Sequence, residues 1–306
     1  MQGLLLINKP QNITSFGAVA RIKRLSGEKR VGHTGTLDPL ATGVLPIFIG
    51  RATALSSYLL EADKSYTAEI KLGVSTDTCD ITGEILSEKD CKIDSETLIS
   101  VLNKFKGVSW QTPPMFSALK KDGVRLYELA RRGETVEIPK REITVYNLDL
   151  ISEINEENIF KIDVRVSKGT YIRSLARDIG EALGCGATLV NLCRTQTGGF
   201  NIKDCVSLDD LSEENIQSFV QSEEKALRHI PELYVSERQA VRFSNGGQLG
   251  FERFKGIVFE EDCLYRVKFK DNFIGIGVAD FSKNQIAVKC VINNFSMKGT
   301  GECQTE

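Results

Sequence analysis

The stretch VGHTGTLDPLATGVLPIFIG, residues 31–50, decides how this chain is read. Four glycines, three threonines and one of the chain's two histidines surround a single carboxylate, Asp38, set between Leu37 and Pro39. An Asp before Pro is biased toward extended backbone, and the glycines permit tight turns or close approach to a ligand. Among Leu37, Leu40, Val44 and Leu45 an ionised carboxylate is costly unless a cation or several donors hold it. Two readings stay open at this point. Asp38 accepts from loop amides in an Asx-turn, or it is a held anion whose cation comes from elsewhere in the chain.

Upstream, GLLLINKP reads as a short buried strand ended by Pro10, and Thr14 or Ser15 caps a helix through Val19, Ile22 and Leu25. Downstream, SYTAEIKLG alternates as a half-buried strand and VSTDTCDITGEI is a turn-rich connector. Asp94 or Ser95 caps a helix with Leu98, Val101, Leu102 and Phe105 on its apolar face, and Gly107 is placed to end it. Residues 108–146 hold three of the seven prolines and the only tryptophan, and read as an inserted, basic, partly exposed arm. FKIDVRV is a strand, and Thr170 opens a helix that ends at Gly184. Residues 211–231 form an acidic linker. A short helix near Ser236 and three strand patterns then make a small β-rich domain over 232–295, and 296–306 is a frayed tail.

The 306 residues suffice for more than one domain. A short apolar run met at once by Lys9 and Pro10 encodes neither signal peptide nor membrane span, so a cytoplasmic, membrane-free protein is expected. Charge is uneven. Residues 1–60 carry seven Lys or Arg against two acids, whereas 203–263 carry thirteen acids against seven bases, so a polyanion could be engaged by the N-terminal half. No two of the eight cysteines have the two-residue spacing of a zinc site, and they read as structural or incidental thiols. No phosphate loop or complete dinucleotide fingerprint occurs, only His33 and His229 could act as base for a nucleophile, and no second carboxylate lies near Asp38 in sequence. Nucleotide cofactors, hydrolase triads and paired-acid glycosidases are thereby disfavoured.

GHTGTLDPLATGVL at 32–45 closely resembles the catalytic motif of the TruB-type tRNA pseudouridine synthases. Further resemblances follow in the family's order: INKPQNITS at 7–15, YTAEIKLGVSTDTCDITGEI at 66–85, PPMFSALKKDGVRLYELAR at 113–131, VSKGTYIRSLARDIG at 166–180 and LCRTQTGGF at 192–200. Asn12 departs from the glycine usual in the opening motif, although Asn tolerates left-handed backbone. The resemblance implies an α+β fold, with a pseudouridine-synthase catalytic domain (1–210) on a mixed, largely antiparallel sheet and a small PUA-like RNA-binding domain behind it. It also implies isomerisation of uridine 55 in the TΨC loop, with no cofactor and no metal, by a monomer that engages the T-arm of tRNA.

By motif position the catalytic aspartate falls on Asp38, and substrate-binding positions on His33, Tyr66, Tyr171, Arg173, Leu192 and Lys9. Arg173, in the first turn of its helix, could supply the cation that Asp38 needs; alternatively Arg173 and Arg177 contact phosphate or solvent. The alternatives to a synthase are an RNA-binding or tRNA-folding module and a base-releasing RNA glycosylase.

Overall fold

The computed structural model describes residues 1–60, 62–117, 119–121, 123–134 and 136–295, with Leu60 as backbone only; the tail expected at 296–306 lies outside them. The N-terminal part opens with β1 (Gly3–Lys9), α1 (Ser15–Ser26), β2 (Val31–His33), β3 (Thr42–Ile49) and α2 (Ser56–Leu60). It continues through β4 (Lys64–Leu72), the hairpin β5 (Val74–Thr76) and β6 (Ile85–Glu88), α3 (Ser95–Lys104) and β7 (Gly107–Gln111). The excursion that follows carries β8 (Lys120–Lys121), β9 (Val124–Arg125) and α4 (Leu126–Arg131), and rejoins the sheet at β10 (Arg141–Leu150). Next come β11 (Ile159–Val166), α5 (Ile172–Ala182), β12 (Ala187–Thr197), β13 (Phe200–Asn201) and β14 (Val206–Ser207).

These strands form one sheet in the order β14-β1-β3-β12-β4-β11-β10-β7, with β2 on β3 and β13 on β12. Only β1 with β14 and β3 with β12 run parallel. The sheet is therefore mixed and largely antiparallel, as the resemblance implies. Its strand sequences report how many faces are covered. In β1, Leu5 and Ile7 face one core while Leu4 and Leu6 face another, so a strand buried on both sides reads as an unbroken apolar run. In β4 and β11 every second residue, Tyr66, Ala68, Ile70 and Leu72 and then Phe160, Ile162, Val164 and Val166, enters the first core, and the residues between them are mostly polar.

The first core lies under α1, α3 and α5, which contribute Ala18, Ile22, Leu98, Leu102, Leu175 and Ile179. Helix α1 is capped by Thr14, which accepts from Gly17 N, and α3 by Asp94, which accepts from Thr97 N. Gly107 does not end α3: the helix stops at Lys104 and Gly107 begins β7 with φ +101°. The ends of the segment read as an arm are likewise sheet strands, because Ile143 and Val145 belong to the first core.

Residues 211–231 are packed rather than free. Leu211 and Ile216, the latter in α6 (Ile216–Phe219), enter the first core; Ala226, Leu227 and Ile230 enter the second. There they meet Phe273, Ile276 and Ile292 of the C-terminal domain. That domain comprises β15 (Glu232–Tyr234), α7 (Glu237–Ser244), β16 (Leu249–Gly250), β17 (Leu264–Phe269), β18 (Asn272–Asp280) and β19 (Gln285–Val291), and its five-stranded sheet has the order β15-β17-β18-β19-β16. Among the described residues no helix is long and apolar enough to cross a membrane, and the seven described cysteines are free thiols.

Candidate active site

Asp38 lies on the loop between β2 and β3, and each side of that loop is fastened by a different element. Ser15, at the start of α1 and 2 % exposed, donates through Oγ to Leu37 O (3.0 Å) and accepts from Leu37 N (2.8 Å). On the other side, Asn12 N donates to Pro39 O at 2.8 Å, with Asn12 in left-handed backbone at φ +64°, the conformation its replacement of glycine requires. Ala41 N closes a turn onto Asp38 O. Of the glycines in this stretch Gly43 marks a close approach: a Cβ there would sit 2.2 Å from Arg194 O, so Gly43 is where β3 presses onto β12.

The cation is Arg173. Its Nε lies 2.9 Å from Asp38 Oδ2, off the line of a hydrogen bond, so the contact is an ion pair. Arg173 is 5 % exposed and its other nitrogens are committed: Nη1 donates to Thr78 O and Nη2 to Phe116 O, at 3.1 and 2.8 Å. Nη1 also stands 3.4 Å from Asp80 Oδ2. Asp80 is the second carboxylate that the neighbourhood of Asp38 in sequence lacks. It arrives on the β5–β6 turn, held there by Thr78 Oγ1 and by Thr82 N and Oγ1, all donating to its Oδ1. Arg177, the other cation considered, pairs instead with Asp178 and donates to Thr112 O.

Surrounding protein pushes the Asp38 carboxyl above its ordinary pKa; Arg173 and Lys9 pull it back, while Asp80 adds to the rise. Lys9 is fully buried with Nζ donating to Pro10 O and Ile13 O, and burial lowers it to about 8 against the pull of Asp38. Tyr171 precedes α5, and Gln111 grips its backbone in both directions, accepting from its N–H and donating to its C=O at 2.8 and 3.1 Å. Burial raises the Tyr171 hydroxyl, and Asp38 adds to that rise. Tyr66 and Leu192 are buried in the first core on adjacent strands, where Tyr66 pairs with Arg194 and Leu192 with Ala68. His33 makes no hydrogen bond or ion pair with Asp38; burial, and then Arg194, lower its pKa and favour the neutral ring. His33 Nδ1, Thr34 Oγ1 and Ser117 Oγ are buried without a hydrogen-bond partner.

Sequence reading thus places Asp38 and Arg173 together, and misses Ser15, Gln111, Asp80 and Arg194. Among the described residues no cluster of three metal-binding side chains occurs.

Residues 23–172 match the TruB family pseudouridylate synthase N-terminal domain, and residues 173–230 the tRNA pseudouridylate synthase B C-terminal domain. The chain belongs to the TruB family of pseudouridine synthases. Its relatives include the tRNA pseudouridine synthases B of Clostridium kluyveri and Clostridium tetani. The first is 44 % identical over 91 % of this chain and 96 % of its own length. The second is 45 % identical over 90 % and 95 %. Among solved structures, a Cbf5–Nop10–Gar1 complex matches with a TM-score of 0.73 and 27 % identity, over 95 % of this chain and 85 % of that one. An H/ACA RNP bound to a substrate RNA containing 2′-deoxyuridine matches with 0.71 and 25 %, over the same shares. The TruB family is one of isomerases, and the mixed catalytic sheet followed by a separate β domain is shared with these structures.

Proposed function

We propose that the chain converts uridine 55 in the TΨC loop of tRNA to pseudouridine, with Asp38 as its essential carboxylate and without cofactor. The observation that carries this reading is the ion pair of Asp38 with an arginine fixed by three further groups. In the reaction the C1′–N1 bond breaks with its electron pair leaving on the uracil. Asp38 either attacks C1′ or takes a sugar proton, and both roles need the ionised form. After the base turns, C5 joins C1′ as Asp38 leaves C1′ or returns the sugar proton; C5 then loses its proton and N1 takes one up, so atoms and charge are conserved and Asp38 is ionised again.

A loop uridine must be flipped out to reach this acid, at a cost of a few kcal/mol. Stacking on Tyr66 offsets that cost, with Leu192 and Tyr171 closing the pocket around the base. The unpartnered His33 Nδ1, Thr34 Oγ1 and Ser117 Oγ are available to an RNA that brings polar atoms of its own. Lys9 supports the charge of Asp38 from below. The basic excursion and α1, with Arg21, Lys23 and Arg24, meet phosphates of the T-arm, and the protein acts as a cytoplasmic monomer.

Incubation with unmodified tRNA, followed by digestion to nucleosides, tests this. Pseudouridine confined to position 55, and lost in Asp38→Asn with tRNA binding kept, is the expected result. Free uracil would indicate a glycosylase, and bound but unchanged tRNA a folding module; either outcome refutes the proposal.

A further inference from the structure

Among the described residues Arg194 is the largest side chain that is fully buried, at 1 % exposure. It lies on β12, paired with Gly43 of β3 on one side and Tyr66 of β4 on the other. Buried arginines are ordinarily matched by a carboxylate. Among the described residues Arg194 has none within ion-pair distance. Its partners are two carbonyls: Nε donates to Val44 O at 2.8 Å and Nη2 to Gly35 O at 3.1 Å. These carbonyls stand at the two ends of the loop that carries Asp38, so one guanidinium closes the loop across its base.

We propose that Arg194 is a positioning residue of the isomerisation: it pins both ends of the Asp38 loop, and its unneutralised charge favours the negative charge that the departing uracil gathers. The inference rests on the reading of Asp38 as the essential carboxylate. At 1 % exposure Arg194 does not touch RNA; it acts through the loop and through its field. Lys9, Lys64 and Arg173 are offset by the nearby carboxylates Asp38, Asp63 and Asp80. Arg194, 1 % exposed and without a carboxylate at ion-pair distance, keeps a positive charge that is not neutralised in place. A uracil that takes the C1′–N1 electron pair becomes an anion, and a fixed positive field lowers the energy of that state more than that of the neutral substrate.

The same field reaches the other titratable groups that face Arg194. It lowers His33 from β2, Lys9 from β1, Lys64 from β4 and the Cys205 thiol from the segment before β14. Tyr66 is the register partner of Arg194 on β4. His33 is therefore a built-in reporter, and with only two histidines in the chain a His229→Gln variant assigns its imidazole signals.

The experiment compares the unaltered protein with Arg194→Met and Arg194→Lys in two measurements: imidazole titration by NMR, and kcat and KM on unmodified tRNA. In the unaltered protein His33 titrates below 6.5. Arg194→Met raises that value and lowers kcat by about 100-fold, while KM changes by less than about threefold. Arg194→Lys restores the His33 titration and part of kcat, because it keeps the charge and reaches one carbonyl.

Four results overturn the proposal: a His33 titration at or above 6.5 in the unaltered protein; an Arg194→Met enzyme with near-normal kcat; loss of activity with His33 unmoved; or a folded Arg194→Lys enzyme slower than the unaltered protein by about 100-fold or more. Should Arg194→Met fail to fold, the first and last of these still decide. The titration does not depend on turnover, so an active Asp38→Asn enzyme would refute the reading of Asp38 without deciding the role of Arg194.

Discussion

Replacing Ser15 by alanine removes one oxygen and leaves two backbone groups without partners. Ser15 Oγ both donates to Leu37 O and accepts from Leu37 N, and Ser15 and Leu37 are only 2 and 3 % exposed, so water does not take over. Each orphaned buried group costs about 1–3 kcal/mol. The two share one side chain and the loop yields somewhat, which puts the total at about 2–4 kcal/mol. At roughly 2 °C per kcal/mol for a chain of this size, Tm falls by about 4–8 °C. If the loop instead shifts until solvent reaches Leu37, the cost moves from stability to turnover. Leu37 is bonded to Asp38, and a displacement of about 1 Å at a reacting group is worth up to 100-fold. Calorimetry and single-turnover kinetics on a T-arm RNA measure the two channels together, with Ser15→Thr as the control that keeps the hydroxyl. A Ser15→Ala protein unchanged in both Tm and rate would refute the reasoning.

Asp80→Asn keeps an acceptor for Thr82 but removes the charge 3.4 Å from Arg173. With the like charge gone, Asp38 titrates lower, so the acid limb of the kcat profile moves down in pH while the plateau drops about 10- to 100-fold as Arg173 loses its anchor; a pH–rate series checks both. Lys9 titrates near 8, so turnover declines above that pH, and Lys9→Met abolishes the decline because the titrating cation is gone. Gly43→Ala places a Cβ 2.2 Å from Arg194 O at φ +105°, and circular dichroism and soluble yield should show loss of the fold. Asp38 has a raised folded pKa, so between the ordinary carboxylate range and that raised value its contribution to stability declines as pH rises. At neutral pH the charge is a cost, and Asp38→Asn should raise Tm rather than lower it while turnover stops, as calorimetry beside the tRNA assay would show.

Strand content was readable from the sequence where burial leaves a period. GLLLINK and SYTAEIKL announce two covered faces and one covered face, respectively, and both expectations match the sheet. The helix caps at Thr14 and Asp94 followed from side-chain chemistry alone. Gly107 misled because glycine at positive φ serves a strand start as readily as a helix end. Residues 211–231 misled because Glu213 and Glu214 face solvent while Glu223 is buried and Glu224 pairs with Arg266 and Lys268, and because Leu211, Ile216, Ala226, Leu227 and Ile230 are spaced too irregularly to show a period. Within the site, Asp38 stood out by its apolar neighbours and Arg173 by motif position. Asp80 has a weaker signal, an acid flanked two residues away on each side by Thr78 and Thr82, which is the pattern of a side chain folded into its own turn. Ser15 and Gln111 have none, since their partners are backbone groups distant in sequence.

The division of Arg173 among four partners explains why one acid needs so large a setting. A guanidinium held only by Asp38 would lose its partner whenever Asp38 gave up its charge, whether by bonding to C1′ or by accepting a proton, and it would then rearrange within the catalytic step. Here Asp80, Thr78 O and Phe116 O keep Arg173 in place through that change. The dipoles and charges around the reacting atoms therefore do not reorganise at the moment when reorganisation is most costly. The same logic accounts for the tilt of the Asp38 pKa: Asp80 fixes the arginine, and its charge also keeps Asp38 from being bound too tightly to react. A second acid so far away in sequence acts on the first through the arginine between them and through its own like charge, once the fold brings β5, β6 and α5 to one place.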